Sequence, residues 1–513
     1  MDMSRWGKSE DSHPVAWSSR LALFALLVLV SLAPAQPLQD AVESLRNRTV
    51  LGTASFGAVA VDARDGRLLF AVDPKTPMIP ASNQKLLTSG AALMVLGADF
   101  SFETRLAVVD NRLILRGSGD PALGDPAVLK LGGDIGIEDL LSQMVQAVKL
   151  RGLERVDEIV VDDRVFDRAY AHPSWPLDQL NTWYCAEIGG VNIHTNVLAV
   201  YPKPAAGGQG LPMYSVEPAV PWFEIANYAR SVNEGRQTAW IARPKPVNEF
   251  QLRGDVRYPG AEPIRVAFHN PPLTAGQLLA DRLVRAGISV GKPGGPSGIS
   301  AARLVEPDEI LPTGQDLLVV RTRMQDILDR CNTDSYNLYA EAMIKKLGNE
   351  INHEPGSWEN GGAVIRMLLA EKLGPEHATK TRIADGSGMS RENQVSAETL
   401  AAWLMALRSD PEVYSAMLQS LATPGDGTLS TRFVDSKLRN RVYGKSGYLN
   451  GVRSLSGYVV ADDGREIVYA LLMNDIPAGK PNQNSRVFLE QVVERLDTWL
   501  WERSPRESSA LGG

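Results

Sequence analysis

At 513 residues the chain is too long for a single core, and at roughly 150 residues per domain it has room for about three. Hydrophobic residues make up 44 % and charged residues 22 %, proportions that exclude wholesale disorder, a collagen and a polytopic membrane protein. A net charge of −7 offers no basic footprint for nucleic acid and no polybasic surface for anionic lipid.

In chain order, Arg20 precedes the apolar run Leu21 to Leu32, and Ala33-Pro34-Ala35 supplies an A-x-A site, the pattern of an export signal cut after Ala35. The run is short for a bilayer span, which favours a cleaved signal over a retained anchor. Alternation on either side of Asp62-Ala63-Arg64-Asp65-Gly66 predicts a hairpin over 54–70. Pro80 then announces a helix from Ser82 to Met94, read from Leu86, Leu87, Ala91, Leu93 and Met94. Short strands follow at Leu106 to Val109, Leu113 to Leu115 and Glu158 to Val161, with a Pro/Gly-rich stretch over 201–220, and this middle reads as inserted material. A helix-rich stretch over 396–421, strands over 454–460 and 466–473, and an amphipathic helix over 484–501 complete the pattern. The hairpin near the start and the strands near the end are expected to close one α/β core across the insertion, and the tail 504–513 is expected to be mobile.

Only Cys185 and Cys331 are present, so there is no disulfide framework, and one bridge between them stays open. The six histidines form no close-spaced ligand pair, and neither metal nor cofactor is expected. Gly287-Ile288-Ser289-Val290-Gly291 matches G-x-S-x-G, but it follows a helix where a nucleophile elbow needs a strand. Gly444-Lys445-Ser446 lacks the first glycine of a phosphate loop, because position 439 is Arg439. Gly117-Ser118-Gly119 leads into Asp120-Pro121, a turn rather than a dinucleotide-binding helix.

Ser82-Asn83-Gln84-Lys85 survives this sorting. A serine needs a base near neutral pH, and a lysine serves if burial or a second cation suppresses its charge. At i and i+3 the two side chains share one helix face. A serine in the first turn also sets its own N–H among the unpaired helix donors, ready for an oxyanion. Alone the motif is weak and Ser82 would read as an N-cap, but Ser335-Tyr336-Asn337 and Lys445-Ser446-Gly447 follow in the order S-x-x-K, S-x-N, K-[ST]-G.

With these three motifs the sequence resembles the D-alanyl-D-alanine carboxypeptidase/endopeptidase family, the class C low-molecular-mass penicillin-binding proteins. Further matching stretches are Gly119-Asp120-Pro121-Ala122-Leu123, Val160-Val161-Asp162-Asp163, Asp385-Gly386-Ser387-Gly388-Met389-Ser390-Arg391 and the run from Gly451 to Val459. The resemblance implies an α/β (α+β) transpeptidase-like fold of the penicillin-binding-protein and β-lactamase type with two smaller, strand-rich inserted domains. The expected division is a signal over 1–35, a catalytic domain over 36–101 and 316–503, inserted domains over 102–125 with 201–315 and over 126–200, and the tail.

It implies that Ser82 is the nucleophile, Lys85 its base, Lys445 a source of positive potential, Ser335 a proton relay and Asn337 a holder of Lys85 and of substrate. The N–H groups of Ser82 and Tyr448 would make the oxyanion hole, and Ser446, Gly447 and Tyr448 would meet substrate. Asp178 reads either as a subsite for the amino end of a stem-peptide side chain or as a solvated loop carboxylate. Tyr448 stands where a second threonine is frequent. Tyr336 replaces the common aspartate of S-D-N, at a position expected to face the cleft. The implied partners are peptidoglycan stem peptides and, as covalent inhibitors, β-lactams, in a periplasmic or wall location, with peripheral membrane association left open. A non-catalytic wall-binding protein on the same scaffold and a β-lactamase are the competing readings.

Overall fold

The computed structural model describes residues 36–503, so the expected export signal up to Ala35 and the expected tail from Ser504 lie outside the described residues. Two five-stranded sheets organise what is described. In chain order their strands are β1 (Ser55–Asp62), β2 (Leu68–Val72), β3 (Ser101–Val109), β4 (Arg112–Gly117), β5 (Glu158–Asp162), β6 (Ala302–Leu304), β7 (Gln315–Arg323), β8 (Arg441–Leu449), β9 (Val452–Val460) and β10 (Glu466–Asn474). The first sheet runs β8-β9-β10-β1-β2 and is antiparallel throughout. The expected hairpin is β1 and β2, and the strands near the end of the chain join its first strand. Ser55 faces Asn474 and Asp62 faces Ile467, so the two ends of the chain close one core across the insertion.

Period-2 alternation sorts this sheet into two faces. Phe56, Ala58 and Ala60 of β1 and Ile467, Tyr469, Leu471 and Met473 of β10 face helices α1 (Gln36–Arg48) and α10 (Lys480–Glu502), which contribute Val42, Phe488 and Leu496. Val59, Val468, Ala470 and Leu472 face the other way, into a helical layer. That layer contains α2 (Gln84–Leu96), α5 (Met324–Asn332), α6 (Asn337–Asn352), α7 (Trp358–Leu373), α8 (Ala397–Leu407) and α9 (Pro411–Ser420). Lys445 shares parity with Tyr443, which packs on this layer, so the strand carries its side chain toward the helices.

The second sheet is mixed, in the order β6-β5-β4-β3-β7, with α3 (Ile137–Leu150) and α4 (Pro271–Arg285) packed against it. Its core draws Leu106, Leu115 and Leu279 together with Leu141, Val148 and Ile159, so both ranges read as inserted domains share one apolar cluster. β7 extends this sheet as far as Arg323, inside the range expected for the catalytic part. Smaller sheets, one of them Glu224–Asn227, Trp240–Ala242 and Glu249–Arg253, complete the insertion. Ser289-Val290 forms a short strand after Gly287 ends α4 in the left-handed region (φ +85°), as the failed G-x-S-x-G reading requires.

Candidate active site

The helix expected from Ser82 opens as a single 3-10 turn, Ala81–Asn83, and passes into α2 at Gln84. Ala81 is held at φ +46°, a conformation costly for a residue with a side chain, of the kind stored at functional sites. Two glycines let the surroundings close on this turn. A Cβ on Gly388 would come within 1.8 Å of the Ala81 carbonyl oxygen, and one on Gly447 within 2.9 Å of the Ser82 nitrogen. Only bare backbone fits at either place.

Lys85 is fully buried, and its three ammonium donors are all engaged. Nζ donates to Ser82 Oγ at 3.2 Å, to Asn337 Oδ1 at 2.7 Å and to the Ser387 carbonyl at 3.0 Å. Asn337 opens α6 and is fixed from its other end, because Nδ2 donates to the Tyr184 carbonyl at 2.8 Å. Ser335 lies two residues earlier, itself left-handed at φ +61°, and accepts from Lys445 Nζ at 2.8 Å. Lys445 also donates to its neighbour's carbonyl, Ser446 O, at 3.0 Å. Asn83 ties the serine turn to the strand by donating to the Lys445 carbonyl at 2.5 Å while its Oδ1 accepts from Ser456 Oγ at 2.8 Å.

Burial sets the electrostatics. It pulls the Lys85 ammonium down to about 8, against the opposing pull of the Glu341 and Asp385 carboxylates. Lys445 falls well below the ordinary lysine range, first through burial and then through the positive charge of Lys85. Neither lysine touches a carboxylate; their recorded partners are neutral oxygens. Such an arrangement can release and recapture a proton next to a hydroxyl.

Ser82, Lys85, Ser335, Asn337 and Lys445 thus come together, with Ser446, Gly447 and Tyr448 following on the edge strand β8. Tyr448 is 60 % exposed, and the Arg453 guanidinium lies 3.8 Å from its ring centroid. Asp178 sits exposed on the turn Leu177–Gln179, with no recorded hydrogen bond to a site residue among the described residues. Tyr336 departs from expectation. It is buried, packed against Trp183, Tyr339 and the Arg330 guanidinium at 5.1, 5.8 and 4.9 Å, rather than open to solvent. An aromatic ring at this position gains more from these apolar neighbours than from water.

Cys185 and Cys331 are free buried thiols. Among the described residues no cluster of His, Cys, Asp and Glu could hold a metal ion, and no helix is long and apolar enough to cross a membrane. Sequence reasoning missed Glu341, which lies in the stretch that carries S-x-N. Its spacing of four from Asn337 was the available signal, since i and i+4 share a helix face.

Comparison with known proteins gives the family and the fold. The model of the D-Ala-D-Ala carboxypeptidase 3 (S13) family matches residues 38–496. The D-alanyl-D-alanine carboxypeptidase of an Actinomadura species is 29 % identical over 500 residues, covering 93 % of this chain and 87 % of that protein. The crystal structure of penicillin binding protein 4 (dacB) from Haemophilus influenzae superposes with a TM-score of 0.71 at 21 % identity, over 90 % of this chain and 99 % of that one, so the fold is shared. A second structure of that Haemophilus protein, complexed with a β-lactam, superposes with a TM-score of 0.66 at 21 % identity, over 90 % of this chain and 99 % of that one. The chain belongs to the D-Ala-D-Ala carboxypeptidase 3 (S13) family of serine peptidases.

Proposed function

We propose that this serine D-Ala-D-Ala carboxypeptidase is exported to the periplasm or the wall, that it works through Ser82 on the terminal D-Ala-D-Ala bonds and D,D-cross-links of peptidoglycan, and that β-lactams acylate the same residue. Ser82 Oγ attacks the carbonyl between the two terminal D-alanines of a stem peptide, and water hydrolyses the resulting acyl-enzyme. Lys85 receives the Ser82 proton, the 3.2 Å contact reversing its donor once Nζ is neutral. Ser335, held by Lys445, hands a proton to the leaving amine, while Asn337 fixes Lys85 and the substrate amide. The N–H groups of Ser82 and Tyr448 stabilise the oxyanion, with Gly447 giving β8 room to lie against Ser82. Lys445 and the Ser446 hydroxyl attract the terminal carboxylate, and Asp178 receives the amino end of a longer stem side chain. Residues 36–101 and 316–503 form the catalytic body around the inserted ranges 102–125 with 201–315 and 126–200, the first strand after the insertion, β7, being shared with the second sheet.

The observation that carries this reading is the set of contacts on Lys85: a buried amine with a lowered pKa against a serine hydroxyl. The test is to incubate the protein and its Ser82→Ala variant with a fluorescent penicillin and with a D-Ala-D-Ala peptide. Stable labelling and D-alanine release, both lost in the variant, are the expected result. Absence of labelling in folded protein favours the non-catalytic wall-binding alternative, and rapid turnover of penicillin favours a β-lactamase.

A further inference from the structure

Glu341 lies one turn beyond Asn337 on α6 and is completely buried. Its Oε2 accepts from Trp358 Nε1 at 2.7 Å and from the Gly386 N–H at 2.9 Å, and its Oε1 accepts from the Ser387 N–H at 2.9 Å. The carbonyl of that same Ser387 accepts from Lys85 Nζ at 3.0 Å. The next residue is pinned as well, since the Gly388 N–H donates to Asp385 Oδ1 at 2.8 Å and its α-carbon packs against the Ala81 carbonyl. A carboxylate that no motif includes therefore reaches the lysine through a single residue.

We infer that Glu341 is a positioning residue: it clamps the Ser387 backbone so that its carbonyl orients Lys85 toward Ser82, and its charge sets the pH at which Lys85 gives up its proton. The inference rests on the roles proposed above for Ser82 and Lys85. The groups that bear on this carboxylate are Lys85 from α2, Cys185 from the turn Trp183–Cys185, Cys331 from α5, Lys345 one turn further along α6, Trp358 at the start of α7 and Asp385 from the loop after it. Burial and then the Asp385 charge raise the Glu341 carboxyl, its Ser387, Gly386 and Trp358 donors pull it back, and it comes to rest at about 7. Glu341 in turn is one of the negative charges that oppose the fall of Lys85. The Glu341 charge favours the protonated lysine, and removing it lets Lys85 deprotonate at lower pH.

Glu341→Gln tests this directly. The amide keeps an oxygen for Trp358 and Gly386 but turns an N–H toward the Ser387 N–H, donor against donor. The readout is the second-order rate of acylation by a fluorescent penicillin across pH, with the melting temperature measured alongside. The expected result is an acidic limb displaced downward by about one pH unit, with a plateau about tenfold lower. A merely structural role would lower the rate at every pH without moving the limb. A profile superposable on the parent's, or lowered without displacement, overturns the inference.

Should Glu341→Gln fail to fold, Trp358→Phe decides. It removes one donor from Oε2, leaves both backbone donors, and is expected to move the limb in the same direction by about 0.3 pH unit. An unmoved limb in folded Trp358→Phe then overturns the inference. Ser82→Ala separates the two levels: if it still labels, the assignment of the nucleophile falls, whereas lost labelling with an unmoved limb in the tested variant removes only the role of Glu341.

Discussion

The second sheet and the catalytic edge of the first treat charge in opposite ways. Around the second sheet, cations sit on carboxylates: Arg105 on Glu103 and Asp316, Arg116 and Arg164 on Asp162, and Arg303 on Glu158 and Glu309. At the edge of the first sheet, Lys85 and Lys445 are buried together, and among the described residues they contact only neutral oxygens. Paired charges hold a shape, and their pKa values move away from neutrality; Glu309 is drawn down to about 2, chiefly by Arg303. Buried lysines without a carboxylate partner are instead pushed toward neutrality, where a proton can be moved. The contrast separates a scaffold from a proton-transfer site within one chain.

The largest expected effect comes from removing a lysine from the site. Lys445→Ala is expected to lower kcat/KM for a D-Ala-D-Ala peptide by about 10³-fold, since it takes away both the partner of Ser335 and the charge next to Lys85. Steady-state kinetics on variant whose melting temperature is unchanged checks this. A loss under tenfold would mean that the unpaired lysine is not what distinguishes the site from the scaffold.

Second in size is the seam between the regions, where scaffold chemistry reaches the site. Asp125 accepts from Arg330 Nε at 2.9 Å and from the Tyr339 hydroxyl. Burial pulls the Arg330 guanidinium down, but the Asp125, Tyr339 and Asp334 charges outweigh it and the net shift is upward. Asp125→Ala leaves a buried guanidinium with one carboxylate fewer and is expected to cost about 3–5 kcal/mol, read by urea denaturation. Because Arg330 also packs on Tyr336, between Ser335 and Asn337, acylation is expected to weaken before the global transition. Coincident loss of both would show that the seam is part of one cooperative unit.

The third prediction concerns pH. With its pKa lowered to about 8, Lys85 is expected to limit acylation on the acid side, so the rate rises roughly tenfold per pH unit up to about 8 and then levels. The same depression has a sign for stability. Folded Lys85 binds its proton more weakly than the unfolded chain does, so its burial penalty is fully present below about 8 and is relieved as pH rises toward the unfolded value of 10.5. A stopped-flow pH series with penicillin measures the kinetic limb, and a flat profile between about pH 6 and 8 would place the base elsewhere.

How much of this was legible in the sequence follows the same division. Ser82, Lys85, Ser335, Asn337 and Lys445 stand in short motifs whose spacing is local, and the strands β1, β2, β9 and β10 announce themselves by alternation and by turns such as Asp462-Asp463-Gly464. The helices α5, α6 and α7 were not read. α6 is buried on nearly every side, including Glu341, Lys345 and Lys346, so its pattern lacks the polar face that periodicity needs. Glu341 escaped as well: two of its three donors are the backbone N–H groups of Gly386 and Ser387, which carry no residue-type signature, and the third is the side chain of Trp358 on the next helix. The buried setting of Tyr336 was equally invisible, because Trp183 reaches it from the insertion across more than a hundred residues of chain.

The smallest expected effect tests the open end of the site, where a charge sits between the two regimes. Tyr448 faces Arg453 across the β8–β9 ladder, its ring 3.8 Å from the guanidinium, and Arg453 also donates to Asn482 Oδ1 at 3.2 Å. Arg453 has no recorded carboxylate partner, and burial pulls its guanidinium down. Tyr448→Thr would uncover this cation beside the strand that receives the substrate's terminal carboxylate and would add a hydroxyl there. The expected outcome is a KM for a D-Ala-D-Ala peptide about threefold lower with kcat unchanged, of the order of one cation–π contact at an exposed site. An amidated peptide, lacking the carboxylate, should show no gain. A change in kcat instead would bring Arg453 into the chemical step and extend the proton-transfer region outward to the rim of the sheet.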